Sequence, residues 1–141
     1  MSDWQVTLRQ TSRWLIIHGA IGAAAAIGLL AIGVIVHDAS TTGLWFFLIL
    51  PACTVVMLGQ SAHLLLDAAL FRLALASDSE EAALRSIDTR LHAMGLRRLQ
   101  GEPRALAPRI AGTRRLLRRQ YLVLSVTVAI LAISLFEGAR I

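Results

Sequence analysis

The chain has 141 residues, 56% hydrophobic and 16% charged, with a formal net charge of +5 and a mean hydropathy of +0.65. A soluble domain carries about 25% charged residues, so this composition excludes a disordered chain and a collagen-like repeat, and the single Cys53 excludes a disulfide scaffold. What remains is a small integral membrane protein with room for three or four helical spans.

The first apolar run is Trp14–Val36, 23 residues without an ionised group. At 1.5 Å per residue it reaches about 35 Å, enough for a hydrocarbon core of about 30 Å. Arg9 and Arg13 precede it, as in a secretory signal, but a signal core has about 7–15 apolar residues, so an uncleaved anchor is expected. Gly19, Gly22, Ala23 and Ala26 provide small-xxx-small pairs, as do Ala24 and Gly28. Such faces let helices approach closely in lipid, either within the chain or against another one. The connection His37–Gly43 carries no Arg.

The second span is expected over about 44–66, with Pro51 a potential kink. Its apolar pattern continues to Leu75, interrupted by Asp67 and Arg72, so the helix is expected to leave the membrane and continue. Gln60, His63 and Asp67 form a polar stripe along it, with His63 and Asp67 at i, i+4 spacing suited to a hydrogen bond. Ionisable groups at membrane depth are costly and usually face protein or water. His18 on the first span is expected at a similar depth. His18 and His63 are therefore candidate cofactor ligands, for a metal, a haem or a chlorophyll magnesium, with Gln120 and Tyr121 entering nearby. The pattern lacks the spacing of an HExxH or CxxC motif, so no metal site is assigned. The competing reading is a set of interfacial polar residues meeting headgroups. His37, Asp38 and His92 read as solvated surface residues.

Between spans two and three lies an amphipathic segment, about 77–118, expected to fold as a cytoplasmic helical hairpin. Ser77 with Glu80, or Asp78 with Glu81, predicts a capping box. Leu84, Ile87, Leu91 and Met94 form a heptad-like seam. Gly95 and Gln100–Pro103 mark the turn. On the second arm Leu106, Ile110, Thr113 and Leu117 share one side, and Arg114, Arg115, Arg118 and Arg119 the other. The third span is expected over about 118–137, where long Arg side chains can snorkel to the interface.

All 14 basic residues are Arg, and Lys and Asn are missing altogether, a bias expected of a GC-rich genome. Arg9 and Arg13 lie before the first span, 11 Arg lie between Arg72 and Arg119, and Arg140 alone follows the third span. The positive-inside bias then predicts a cytoplasmic N-terminus, a cytoplasmic hairpin and an outer C-terminus, in what reads as a bacterial inner membrane. Arg97, Arg98, Arg114, Arg115, Arg118 and Arg119 are the expected contacts to anionic lipid headgroups or a partner protein. Nucleic acid is not expected, because no aromatic residue interleaves the Arg run and the run abuts a span.

No phosphate loop, nucleophile elbow or pair of intramembrane carboxylates occurs, and no enzyme activity is expected. The leading expectation is an all-α, three-span, non-catalytic subunit that packs on or scaffolds a larger membrane complex, or on copies of itself. One alternative is a small homo-oligomeric channel or transporter with its path along Gln60, His63 and Asp67. Another is a cofactor- or quinone-anchoring subunit of an electron-transfer or photosynthetic complex, whose three-span layout alone resembles respiratory membrane anchors.

Overall fold

The computed structural model describes residues 2–36, 41–95 and 105–138, with side chains over 2–35, 48–95 and 105–136. Four helices follow one another: α1 (Asp3–Val36), α2 (Thr41–Ala74), α3 (Glu80–Ala93) and α4 (Leu106–Gly138). No strand occurs among the described residues. Three of the helices, α1, α2 and α4, are long and apolar enough to cross a membrane. All regular secondary structure among the described residues is helical, and the three long apolar helices suggest an integral membrane protein.

Each long helix exceeds the hydrocarbon core. α1 has 34 residues, about 51 Å, so its first turns stand outside the span that begins at Trp14. Sequence periodicity places the first span at 14–36 but misses this extension, because polar Asp3–Arg13 carries no apolar stripe strong enough to announce a helix. Leu8 and Ser12 nevertheless face inward, and Leu8 is buried with Leu15 against α2. α2 likewise runs on past Asp67 to Ala74. α4 runs unbroken from Leu106 to Gly138, so the basic arm and the third apolar stretch are one helix. Pro108 falls in its first turn, where its missing N–H has no intrahelical partner to lose.

Among the three long helices, α1 and α2 make the most extensive contact, α2 and α4 the next, and α1 and α4 the least. The bundle is therefore closed around α2 and open between α1 and α4. At the Arg-rich end Leu8, Leu15, Leu64, Phe71, Ile87 and Leu117 close one core. At the far end Leu50 and Leu131 form a smaller one with Leu29, Leu30 and Ile130. Elsewhere the long helices turn large apolar side chains outward, among them Val55, Leu122, Ile133 and Phe136, each more than half exposed. Water would make such a surface unfavourable, whereas lipid tails match it.

The short helix α3 starts at neither expected capping box. Ser79 is the N-cap: its Oγ accepts from the Ala82 N–H at 3.2 Å, and its backbone is extended (φ −138°, ψ 158°). A capping box at Ser77 or Asp78 is thus one or two residues early. Three consecutive candidates, Ser77, Asp78 and Ser79, cannot be ranked by side-chain chemistry alone. The helix ends at Gly95, whose φ of +71° is open to glycine and strained for other residues. The Gly95 N–H closes onto the His92 carbonyl at 2.9 Å. Residues 96–104, including Arg97, Arg98 and the Gln100–Pro103 turn, lie outside the described residues, as do His37 and Asp38.

α3 buries Ala83, Leu84 and Ile87. Ala83 and Ile87 pack in the same core as Leu70, Phe71 and Ala74 of α2. Its link to α4 is electrostatic: Arg109 Nη2 donates to Asp88 Oδ1 at 2.6 Å, with both side chains only 11–12% exposed. Leu91 is half-buried and Met94 is exposed, so the expected apolar seam is used only over its first turns.

Removing one partner of a buried, hydrogen-bonded ion pair strands the other charge. Asp88→Ala is expected to lower stability by about 3 kcal/mol and to make α3 more sensitive to limited proteolysis. Asp88→Asn combined with Arg109→Gln should recover part of that loss. Equal proteolysis of wild type and Asp88→Ala would show that the pair does not hold α3.

Candidate functional site

Near the middle of the bundle the three long helices meet at one polar point. Gln120 of α4 is 3% exposed and Ser61 of α2 is 1% exposed. The Gln120 Nε2 amide donates to Ser61 Oγ at 2.8 Å. Gly22 of α1 forms the third wall. A methyl group at Gly22 would overlap the Gln120 amide and come within 3.0 Å of Ser61 Oγ. One turn away, a methyl at Gly19 would lie 3.1 Å from the Leu65 side chain and 3.4 Å from the Ser61 carbonyl. Gly22 is thus a notch for an amide, and Gly19 a seat for α2. Ala26 is buried on the same face and Ala23 half-buried beside it. Gln120 Oε1 is a buried acceptor without a hydrogen-bond partner among the described residues, as is Gln60 Oε1.

Other hydroxyls inside the bundle satisfy themselves on their own helices. Ser12 donates to the Arg9 carbonyl at 3.0 Å, Thr54 to Leu50 at 2.9 Å, and Thr113 and Thr127 to the carbonyls four residues back at 2.8 Å. Such local bonds hide the hydroxyl without specifying a neighbour. Only the Ser61–Gln120 bond among these specifies how two long helices face each other.

The structure divides the polar stripe of the second span. Gln60 and Asp67 are half-buried, whereas His63 is exposed. Ser61 faces α1 and α4, and His63, two residues on and about 200° round the helix, faces away. Asp67 lies within electrostatic reach of His63 and of Arg109, the partner of Asp88.

His18 has its own partners. Its Nδ1–H donates to the Trp14 carbonyl at 2.8 Å, which leaves Nε2 as the ring's acceptor in the neutral form. Its ring lies 4.3 Å from that of Trp14 and edge-on to Tyr121 at 6.3 Å. The two candidate ligands are therefore placed on different faces: His18 joins α1 to α4, and His63 points out from α2. Among the described residues no three His, Cys, Asp or Glu side chains gather as a metal site would require. Cys53 is half-buried, and His92 is exposed on α3.

Two hollows flank α1 at the Arg-rich end. One, about 390 Å³, is lined by Arg9, Arg13 and Arg72 with Ser12. The other, about 650 Å³, lies in the open cleft between α1 and α4, with Arg114, Arg118, Trp14 and Tyr121 on its walls. Arg115 and Arg119 are exposed and are not part of that cleft. Ser61 and the two hollows escaped sequence reasoning. Ser61 beside Gln60 carries no periodic signal of its own, and a cleft between helices distant in sequence has no linear signature.

Comparison with protein-family models, curated proteins and solved structures finds no match. Function has to be argued from the geometry alone.

The polar point yields a sharp mutational test. An interhelical hydrogen bond in a membrane contributes about 0.6 kcal/mol on average, whereas overpacking costs about 1–3 kcal/mol. Gly22→Ala is therefore expected to destabilise more than Ser61→Ala. Gln120→Ala should rescue Gly22→Ala by removing the obstructing amide, and Gly28→Ala, which meets no atom within 4 Å, should be close to neutral. Reversible unfolding in mixed detergent micelles measures all four. Additive effects of Gly22→Ala and Gln120→Ala would refute the notch.

Proposed function

We propose that the chain is a non-catalytic three-span subunit that packs on or scaffolds a larger complex in a bacterial inner membrane. Its N-terminus and Arg-rich α3–α4 segment face the cytoplasm in this reading, and its C-terminus lies outside. The α3–α4 segment serves as the cytoplasmic contact, to a partner protein and to anionic headgroups.

The outward face of α1 carries the proposal. Gly19, Gly22 and Ala26 point into the bundle, and a second series, Ala20, Ala24 and Gly28, repeats every four residues on the opposite side. All three of these are exposed, and a methyl on Gly28 would meet no atom within 4 Å. Lipid gives apolar side chains little reason to leave it, so a small-residue face favours close approach of a second helix over solvation by tails. Only 17–28% of each apolar window is buried within the chain itself. The cofactor-anchor alternative draws less support, since His18 and His63 lie on different faces, and so does the channel path, since His63 is exposed while Gln60 and Asp67 are half-buried.

Purification in mild detergent is expected to retain another membrane protein or further copies of the chain. Ala24→Leu with Gly28→Leu should reduce that retention at least ten-fold while leaving the helical content and thermal unfolding of the chain unchanged. A stable, monodisperse wild-type monomer would overturn the proposal. For orientation, alkaline phosphatase fused to the C-terminus should be active and a green fluorescent protein fusion dark; the reverse pattern inverts the topology.

A further inference from the structure

The cleft between α1 and α4 is more than a gap left by loose packing. Its α1 wall is built from Thr7, Thr11 and Trp14, and its α4 wall from Arg114, Arg118 and Tyr121. Both walls follow three- to four-residue spacing, so the cleft runs along the helices rather than across them. Among the described residues no Asp or Glu lines it. Two guanidinium groups four residues apart on one helix repel each other, and neither has a carboxylate partner among the described residues. Across from them stand neutral hydroxyls and the Gln10 amide, groups that donate to an anion without competing for it.

The cleft is also graded along its length. Arg114 lies nearest the Arg-rich end, Arg118 one turn further, and Trp14 and Tyr121 mark the upper rim, where His18 bridges them. Aromatic residues with a polar edge favour the headgroup level of a bilayer. Beyond the rim the same two faces turn apolar. Ile21, seven residues past Trp14, and Val128, seven past Tyr121, fall on the same lines of their helices and are 54% and 46% exposed. Charge, amphipathic boundary and apolar track thus follow one another in the order of a phospholipid's own parts. A free phosphate uses only the first of them.

We propose that this cleft is a binding site for one anionic phospholipid. The phosphate sits between Arg114 and Arg118, the glycerol region lies against Trp14 and Tyr121, and an acyl chain follows Ile21 and Val128. Guanidinium groups suit the task because their planar forks match phosphate oxygens, and basic clefts between membrane helices are a general mode of headgroup recognition. The proposal assigns a specific role to two of the surface Arg residues and withholds it from their neighbours. It rests on the three-span architecture and stands whether or not the chain is a subunit of a complex.

The test uses the full chain with Trp4→Phe and Trp45→Phe, so that Trp14 is the only tryptophan, reconstituted in phosphatidylcholine nanodiscs. Phosphatidylglycerol with brominated acyl chains is added in graded mole fraction. Quenching of Trp14 should saturate at low mole fraction, whereas brominated phosphatidylcholine should quench only in proportion to its abundance. Arg114→Gln with Arg118→Gln removes two charge-assisted hydrogen bonds to the phosphate and should raise the half-saturating fraction by about 100-fold or more. Arg115→Gln with Arg119→Gln removes the same charge from residues that do not line the cleft and should shift the curve only by the general surface attraction, about 30-fold at most. Equal shifts in the two double variants, or equal quenching by the two lipids in the wild type, would overturn the site. Release of quenching by inorganic phosphate, but not by chloride at equal ionic strength, would assign the cleft to a free anion and overturn it too.

Discussion

The contact of Gln120 with Ser61 over the notch of Gly22 sets how the three long helices are turned. In water, burial of apolar surface would bring helices together on many nearly equivalent faces. In lipid that term is almost missing, because tails are as apolar as leucine. What then distinguishes one arrangement from another is where backbones can approach and where polar groups find partners. An amide buried among three helices has few alternatives. With Gln120 turned inward, the 100° step of the helix places Arg114, Arg118 and Tyr121 along one flank and sends Arg115 and Arg119 to another. The composition of the α1/α4 cleft is thus a consequence of the same rotation.

The Arg-rich end obeys different physics. There the helices extend beyond the apolar stretches, and Leu8, Leu64, Phe71, Ile87 and Leu117 are sequestered as in a soluble core. Burial from water does contribute there, at about 25 cal/mol per Å². α3 adds Ala83 and Ile87 to that core, and the Asp88–Arg109 pair links α3 to α4. The chain therefore joins a soluble-type core at one end to a lipid-type crossing in the middle, with the crossing fixed by fit rather than by burial.

These two regions leave the rest of the surface uncommitted. The inward small residues of α1 are consumed by α2 and α4, whereas Ala20, Ala24 and Gly28 remain open. The imidazoles that looked like a pair are separated by helix rotation. His18 is engaged by Trp14 and Tyr121, and His63 is exposed on α2. Interaction, with lipid and with other helices, is what this distribution of groups supports best.

Much of this was legible in the residues. Trp14–Val36 and the long apolar stretches announce spans because hydropathy is a local sum, and the inward side of Leu106, Ile110, Thr113 and Leu117 follows from periodicity. Other features were not. Asp3–Arg13 is helical because Leu8 and Leu15 find α2, and Ser79 caps α3 while the Ser77 N–H is spent on the Ala74 carbonyl in the turn that ends α2. Which of the small pairs on α1 face inward was undetermined, since Gly19/Ala23 and Ala24/Gly28 read alike. Likewise, i, i+3 and i+7 spacing placed Gln60, His63 and Asp67 on one line without saying that the neighbouring Ser61 would face the bundle. The sequence determined where the three long apolar stretches lie and where the charge collects, because each of these depends on neighbours in the chain. Only the tertiary structure decided which face of each helix is spent on its partners, because that depends on an amide, a hydroxyl and a missing side chain meeting from three distant segments.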